Sequence, residues 1–165
     1  MFERLATTVQ PRLQIAACIA LAGVGTSNSL EVLLRVFNHE RDVEVRTAAL
    51  YAVGRIGGSR AFDPLIGVLS NRMELPGIRG IAAEALADSA DIRAQDPLLE
   101  CLDDPDAEVR WWSAFALGEL GDARSLPRLR ATAELDGEAV GRLGAVGTEA
   151  AAAIERIERR IAAQA

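Results

Sequence analysis

The strongest constraint on this chain is a motif that returns. Asp106 to Gly121, DAEVRWWSAFALGELG, has three near-copies upstream. Aligning Ala52-Val53-Gly54 with Ala116-Leu117-Gly118 places Val45-Arg46 on Val109-Arg110 and Ile56-Gly57 on Leu120-Gly121. The same register reaches Ile78-Arg79 with Ala85-Leu86-Ala87, and Leu13-Gln14 with Ala20-Leu21-Ala22. Leu13, Val45, Ile78 and Val109 stand 32, 33 and 31 residues apart. A fixed period of this size means stacked supersecondary units, each burying its apolar face against the next.

The units are helical pairs. Within Val45 to Ile56 the apolar positions 45, 49, 52, 53 and 56 follow the 3.6-residue period, and nothing alternates as a strand would. A second half also repeats: Phe62-Asp63-Pro64-Leu65-Ile66 matches Gln95-Asp96-Pro97-Leu98-Leu99, with Leu30 to Leu34 and Leu126 to Arg130 in the same places. Small residues such as Ala49, Ala52, Ala82, Ala83 and Ala116 let neighbouring helices approach. Gly25, Gly57 and Gly121 fall where a left-handed residue and a turn are expected.

In chain order the pattern predicts helices over 2–8, 11–24, 27–37, 42–56, 59–69, 76–87, 92–102, 106–120 and 124–132. A short glycine-interrupted helix is expected around 138–146, and a charged one over 148–163. The chain is read as a single repeat domain: an N-terminal cap over 1–10, repeats over 11–133, and an atypical last unit with a capping helix over 134–165. Polar ends stop an open array from stacking on itself, and Glu155, Arg156, Glu158, Arg159 and Arg160 supply them.

The strings DVEVRTAALYAVGRIG and DAEVRWWSAFALGELGD resemble the short HEAT-like repeats first associated with phycobilisome lyases, whose unit reads roughly D-x-x-V-R-x-x-A-A-x-A-L-G-x-I-G-D. The resemblance covers about residues 11–133. It is weaker in the first unit, where Gln14 and Ala22 replace Arg and Gly. It is weaker again in the third, where Ala87, Ser89 and Ala90 replace the glycines and isoleucine. It implies an all-α fold, a right-handed α-α superhelix of about four to five helical pairs. Its V-R-x-x-A-A-x-A-L-G helices would line a concave face.

Carried onto this chain, the groove positions are Arg12, Ile15 and Ile19; Glu44, Thr47, Tyr51 and Arg55; Ile81, Glu84 and Asp88; and Glu108, Trp111, Trp112, Phe115 and Glu119. The expected groove is apolar and aromatic with an acidic rim. Trp111, Trp112 and Phe115 are either partner anchors or rings folded under the C-terminal helices. Arg46, Arg79 and Arg110, tied to the repeat, read as packing residues paired with loop acids such as Asp42 or Asp106. Asp42 and Asp106 also read as N-caps.

Charge and composition prune the functions. All 18 basic residues are arginine, against 24 acidic residues and a net charge of −6. General attraction to nucleic acid or anionic membrane is not expected, and no lysine exists for Schiff-base or P-loop chemistry. His39 is the sole histidine, and Cys18 and Cys101 lie far apart on apolar stripes, so no metal cluster or disulfide is expected and the thiols read as buried. The pair Asp103-Asp104 reads as solvated loop. The uncharged run from Leu13 to Leu30 is broken by Gly23, Gly25 and polar residues, so it reads as structure and the protein as cytoplasmic.

The expectation is a non-enzymatic, cofactor-free scaffold or adaptor that holds another protein, through a basic or apolar surface, in its groove. The alternative is a lyase-like or chaperone-like subunit that binds a hydrophobic cofactor such as a bilin.

Overall fold

The computed structural model describes residues 1–6 and 10–164. Its helices are α1 (Phe2–Leu5), α2 (Pro11–Val24), α3 (Ser27–His39), α4 (Val43–Ile56), α5 (Ser59–Ser70), α6 (Pro76–Ser89), α7 (Gln95–Cys101), α8 (Ala107–Leu120), α9 (Leu126–Leu135) and α10 (Val146–Ala162). Single 3-10 turns, Ile92–Ala94 and Ala123–Ser125, lead into α7 and α9. The expected first helix runs only to Leu5, and Thr7 and Thr8 lie outside the described residues. Among the described residues no helix is long and apolar enough to cross a membrane.

The helix starts follow from local chemistry. Asp42 accepts from the backbone N–H of Glu44 at 2.9 Å and of Val45 at 3.2 Å, and Asp106 accepts from Glu108 N–H at 2.9 Å. Both satisfy donors that a helix start leaves orphaned. Pro11 and Pro76 open α2 and α6, where a missing N–H costs nothing. At the other ends the glycines divide. Gly57 is left-handed at φ 58, but Gly25 and Gly121 are not. What those two provide is room: a Cβ would stand 2.4 Å from the Leu21 carbonyl oxygen or 2.5 Å from that of Leu117. Ala90 takes the left-handed position after α6 without glycine.

The chain divides into two compact units, Met1–Val68 and Leu69–Ala165. In the first, α4 packs against α2 and α3, and α1 against α2. Its core is Ala17, Cys18 and Leu21 of α2, Leu30, Leu33, Val36 and Phe37 of α3, and Val45, Ala49, Leu50, Ala52 and Val53 of α4. In the second, α8 packs against α6, α7 and α10, and α10 also against α9. Val109, Ala114, Ala116 and Leu117 on α8 are fully buried, so truncating Leu117 to alanine costs about 2–5 kcal/mol.

The segment expected as a short helix around 138–146 is instead an antiparallel hairpin, with Ala139 opposite Ala145 and Val140 opposite Gly144. Gly137, Gly141, Gly144 and Gly147 each cost a helix about 1 kcal/mol relative to alanine. Gly141 and Gly144 also adopt positive φ, 45 and 94. The C-terminal helix follows the hairpin at once and packs on α8 and α9, so it supplies the last pair's second helix in place of the expected 138–146 segment. Its first N–H groups are met by the Glu138 carbonyl at 3.0 Å and the Asp136 carbonyl at 2.7 Å.

Candidate interaction face

The residues that resemble groove positions sit on the inner helices of each unit. In the first unit Ile15 and Thr47 are half-buried, while Ile19, Tyr51 and Arg55 are exposed, Ile19 at 57% and Tyr51 at 44%. In the second unit Ile81, Glu84, Glu108, Trp112 and Phe115 are half-buried, and Asp88 and Glu119 are exposed. Trp111 differs from its neighbours. It is 8% exposed, and its indole N–H has no hydrogen-bond partner among the described residues.

The three rings form one cluster. Trp111 and Phe115, one turn apart, stack with centroids 6.0 Å apart and planes 5° apart. Trp112 meets both edge-on, at 5.0 Å from Trp111 and 5.7 Å from Phe115. Offset and edge-to-face contacts of this kind suit the aromatic quadrupole. Trp112 reaches sideways onto α6, where a Cβ on Gly80 would stand 2.5 Å from its Cδ1. One turn earlier the Glu108 carboxylate lies against Gly77, 3.7 Å from where a Cβ would be. The two contacts advance together along both helices, so α6 and α8 run parallel. The next turn of α6, carrying Glu84, therefore lies beside the turn of α8 that carries Phe115.

On its other side α8 meets α10, which contributes two face residues that the motif alone does not reveal. The Arg156 guanidinium lies 5.4 Å from the Phe115 ring centroid, pairs with Glu149, and brings Nε to 3.1 Å from Glu119 Oε1. That last contact is ionic rather than an aligned hydrogen bond. Gly118 makes room for it, since a Cβ there would stand 2.6 Å from Arg156 Nε and 2.9 Å from the Ala153 Cα. Arg160 donates to the Gly118 carbonyl at 3.2 Å and the Gly121 carbonyl at 2.6 Å, closing the C-terminus of α8. A sequence signal for this helix exists. Val146, Ala150, Ala151, Ala153 and Ile154 repeat Val109, Ser113, Ala114, Ala116 and Leu117, but 37 residues on, the extra length being the hairpin. Gly147 stands where the repeat has arginine.

The repeat arginines are packing residues, and Arg79 and Arg110 pair with Asp104, Asp136 and Glu138 rather than with Asp42 or Asp106. Arg79 donates from Nε to the Leu69 carbonyl at 2.8 Å and from Nη2 to Asp104 at 2.6 Å. Arg110 donates to Asp136 at 2.6 Å, to Glu138 at 2.7 Å and to the Asp104 carbonyl at 2.9 Å. Gln14, at the arginine position of the first unit, donates to Glu40 at 2.8 Å. Arg46 donates to the Phe37 carbonyl at 3.1 Å and lies 4.8 Å from the centre of that ring. Asp104 is therefore not solvated loop. It is 3% exposed because it closes the Arg79 site, while Asp103 beside it pairs with Arg128 at the surface.

Electrostatically the second unit's inner face is acidic. Burial, and then the charge of Asp88 one turn on, push the Glu84 carboxyl above the ordinary glutamate range. Among the described residues neither Glu84 nor Glu108 holds a cation, and no group of three or more metal-ligating side chains is present. Both cysteines are free and buried.

The pattern and the geometry meet known proteins at this point. The family model for HEAT repeats matches residues 1–87 and 71–148. No curated protein matches the sequence. Among solved structures, one chain of the complex of CpcE and CpcF of phycocyanin lyase from Nostoc sp. PCC7120 is similar, with a TM-score of 0.77 and 22% identity over 96% of this chain. This chain spans 64% of that one. An engineered protein is similar with a TM-score of 0.57 and 21% identity, over 94% of this chain and 77% of its own. At these identities the likeness is one of fold.

Proposed function

This chain belongs to the HEAT-repeat family, and from that premise we propose that it is a non-enzymatic scaffold that holds a partner protein on the inner helices of its second unit. The observation that carries the reading is the half-buried pair Trp112 and Phe115, set among Glu84, Glu108 and Glu119. Large rings with residual exposure are the usual anchors of an interface, and the surrounding carboxylates steer a complementary partner. Trp111 supports the pair from below rather than meeting the partner.

A photo-crosslinking residue at position 84 or 119, set beside one at Glu100 or Arg128 on outer helices, tests the reading in the native organism. The same protein captured from both inner positions is the expected result. Titrating that purified protein against Phe115→Ala should then show a loss of about 2 kcal/mol or more. Capture from the outer positions alone would overturn the reading.

The likeness to a phycocyanin lyase complex favours one second reading, a lyase-like subunit that binds a bilin. An absorbance shift on adding free tetrapyrrole would support it, and an unchanged spectrum would exclude it.

A further inference from the structure

The inner face of the second unit already holds one arginine, its own. Arg156 lies over Phe115, approaches Glu119, pairs with Glu149, and occupies the space that Gly118 leaves open. Aromatic platform, carboxylates and glycine floor together suit a guanidinium, which is planar, weakly hydrated and able to stack while it pairs.

One groove back, between α6 and α8, the same kinds of group recur without a cation. Trp112 lies across Gly80 and the Glu108 carboxylate against Gly77 one turn before it, and Glu84 stands on the next turn of α6. Glu84 is half-buried and faces the like charge of Asp88. A carboxylate in that position destabilises the free protein and is relieved by an incoming cation. Of the carboxylates on this face, Glu119 and Glu149 already pair with Arg156, while among the described residues Glu84 and Glu108 hold no cation.

Resting on the scaffold reading above, we propose that the α6–α8 groove docks a basic segment of the partner through an arginine whose guanidinium lies on the Trp112 ring and pairs with Glu84. Arg156 performs the same recognition within the chain, one repeat later. Lysine is a poorer occupant, because a strongly hydrated ammonium gains less from the ring and cannot present a flat face.

The test uses the full chain and short blocked peptides, Arg-Ala-Ala-Arg and its lysine and citrulline counterparts, titrated to millimolar concentration. The Trp111 and Trp112 indole N–H signals in nitrogen–proton NMR are the reporters. The arginine peptide should shift the Trp112 signal saturably, with the lysine peptide binding about threefold or more weakly and the citrulline peptide not at all. Glu84→Gln should weaken the arginine peptide about fivefold or more, while Glu100→Gln, which removes the same charge from α7, should change it less than about twofold. Equal binding of arginine and lysine peptides, or equal effects of the two glutamine variants, would reduce the interaction to diffuse charge attraction and overturn the proposal. Crosslinks from positions 84 and 119 would then still support the scaffold, with a partner of other chemistry.

Discussion

Arg79 and Asp104 form a buried ion pair 2.6 Å apart, with side chains 4% and 2% exposed. It joins the repeat arginine of α6 to the loop before α8, and Asp104 Oδ1 also accepts from the Asp106 N–H at 3.0 Å. Removing one partner leaves a charge buried without compensation. Asp104→Ala should therefore lower stability by about 3–5 kcal/mol. Asp103→Ala, which breaks only the exposed pair with Arg128, should cost about 1 kcal/mol or less. Urea denaturation compares the two, and equal costs would mean that Asp104 is not held as described.

Acidification should reveal carboxylates of opposite sign. Burial raises the Asp104 carboxyl, but the Arg79 guanidinium and the Asp106 N–H outweigh it, so its pKa lies below the ordinary aspartate value. The Arg110 guanidinium lowers Asp136 likewise. Stability from these groups is complete above the unfolded-state value of about 3.9 and is lost as pH falls through the folded-state values. Glu84 runs the other way. Its folded-state pKa is raised, so its ionisation removes stability as pH rises through that value. Glu84→Gln should melt slightly higher than the wild type at pH 7, by no more than about 2 °C, with the gain vanishing below about pH 4. Thermal melts across pH 3 to 7 check both signs.

Two glycines should respond differently to the same added methyl. At Gly118 a Cβ meets the Ala153 Cα at 2.9 Å, and backbone cannot step aside. At Gly80 its three nearest atoms all belong to the Trp112 ring. Alanine gains about 1 kcal/mol of helix propensity at either site. Gly118→Ala should therefore show a net loss, overpacking costing about 1–3 kcal/mol. Gly80→Ala should stay near neutral in stability while displacing the Trp112 indole, seen as a change in tryptophan fluorescence. An unmoved spectrum would mean that Trp112 does not lie on Gly80.

The repeat made most of the fold legible in the sequence, because one period fixes both helix identity and which residues face inward. It failed where the period changed. The hairpin insertion moves the last copy from about 32 to 37 residues, so the period alone puts the inner helix of the last pair on the hairpin instead of on α10. With α10 misplaced, Arg156 and Glu149 could not be assigned to the face. Burial of Trp111 beside a half-exposed Trp112 was also not readable, since adjacent residues on a helix differ by 100° and their fates depend on what each neighbouring helix offers. Gly80 offers α6 to Trp112. The pairing of Arg79 with Asp104 rather than Asp106 is likewise tertiary, because Asp106 is already committed to capping α8.

The two buried thiols permit a test of how each unit opens. Cys18 is fully buried in the first unit, and burial pushes its thiol up to about 11. Cys101 is buried in the second unit, and burial again raises its thiol. Neither should react with an aromatic disulfide reagent at pH 8 until the chain opens locally, because only the exposed thiolate attacks. Repeat proteins open by segments, so a lesion in one unit should be felt mainly there. Asp104→Ala should accelerate labelling of Cys101, read site by site by mass spectrometry, far more than labelling of Cys18. Equal acceleration of both would mean that the chain opens as one cooperative body.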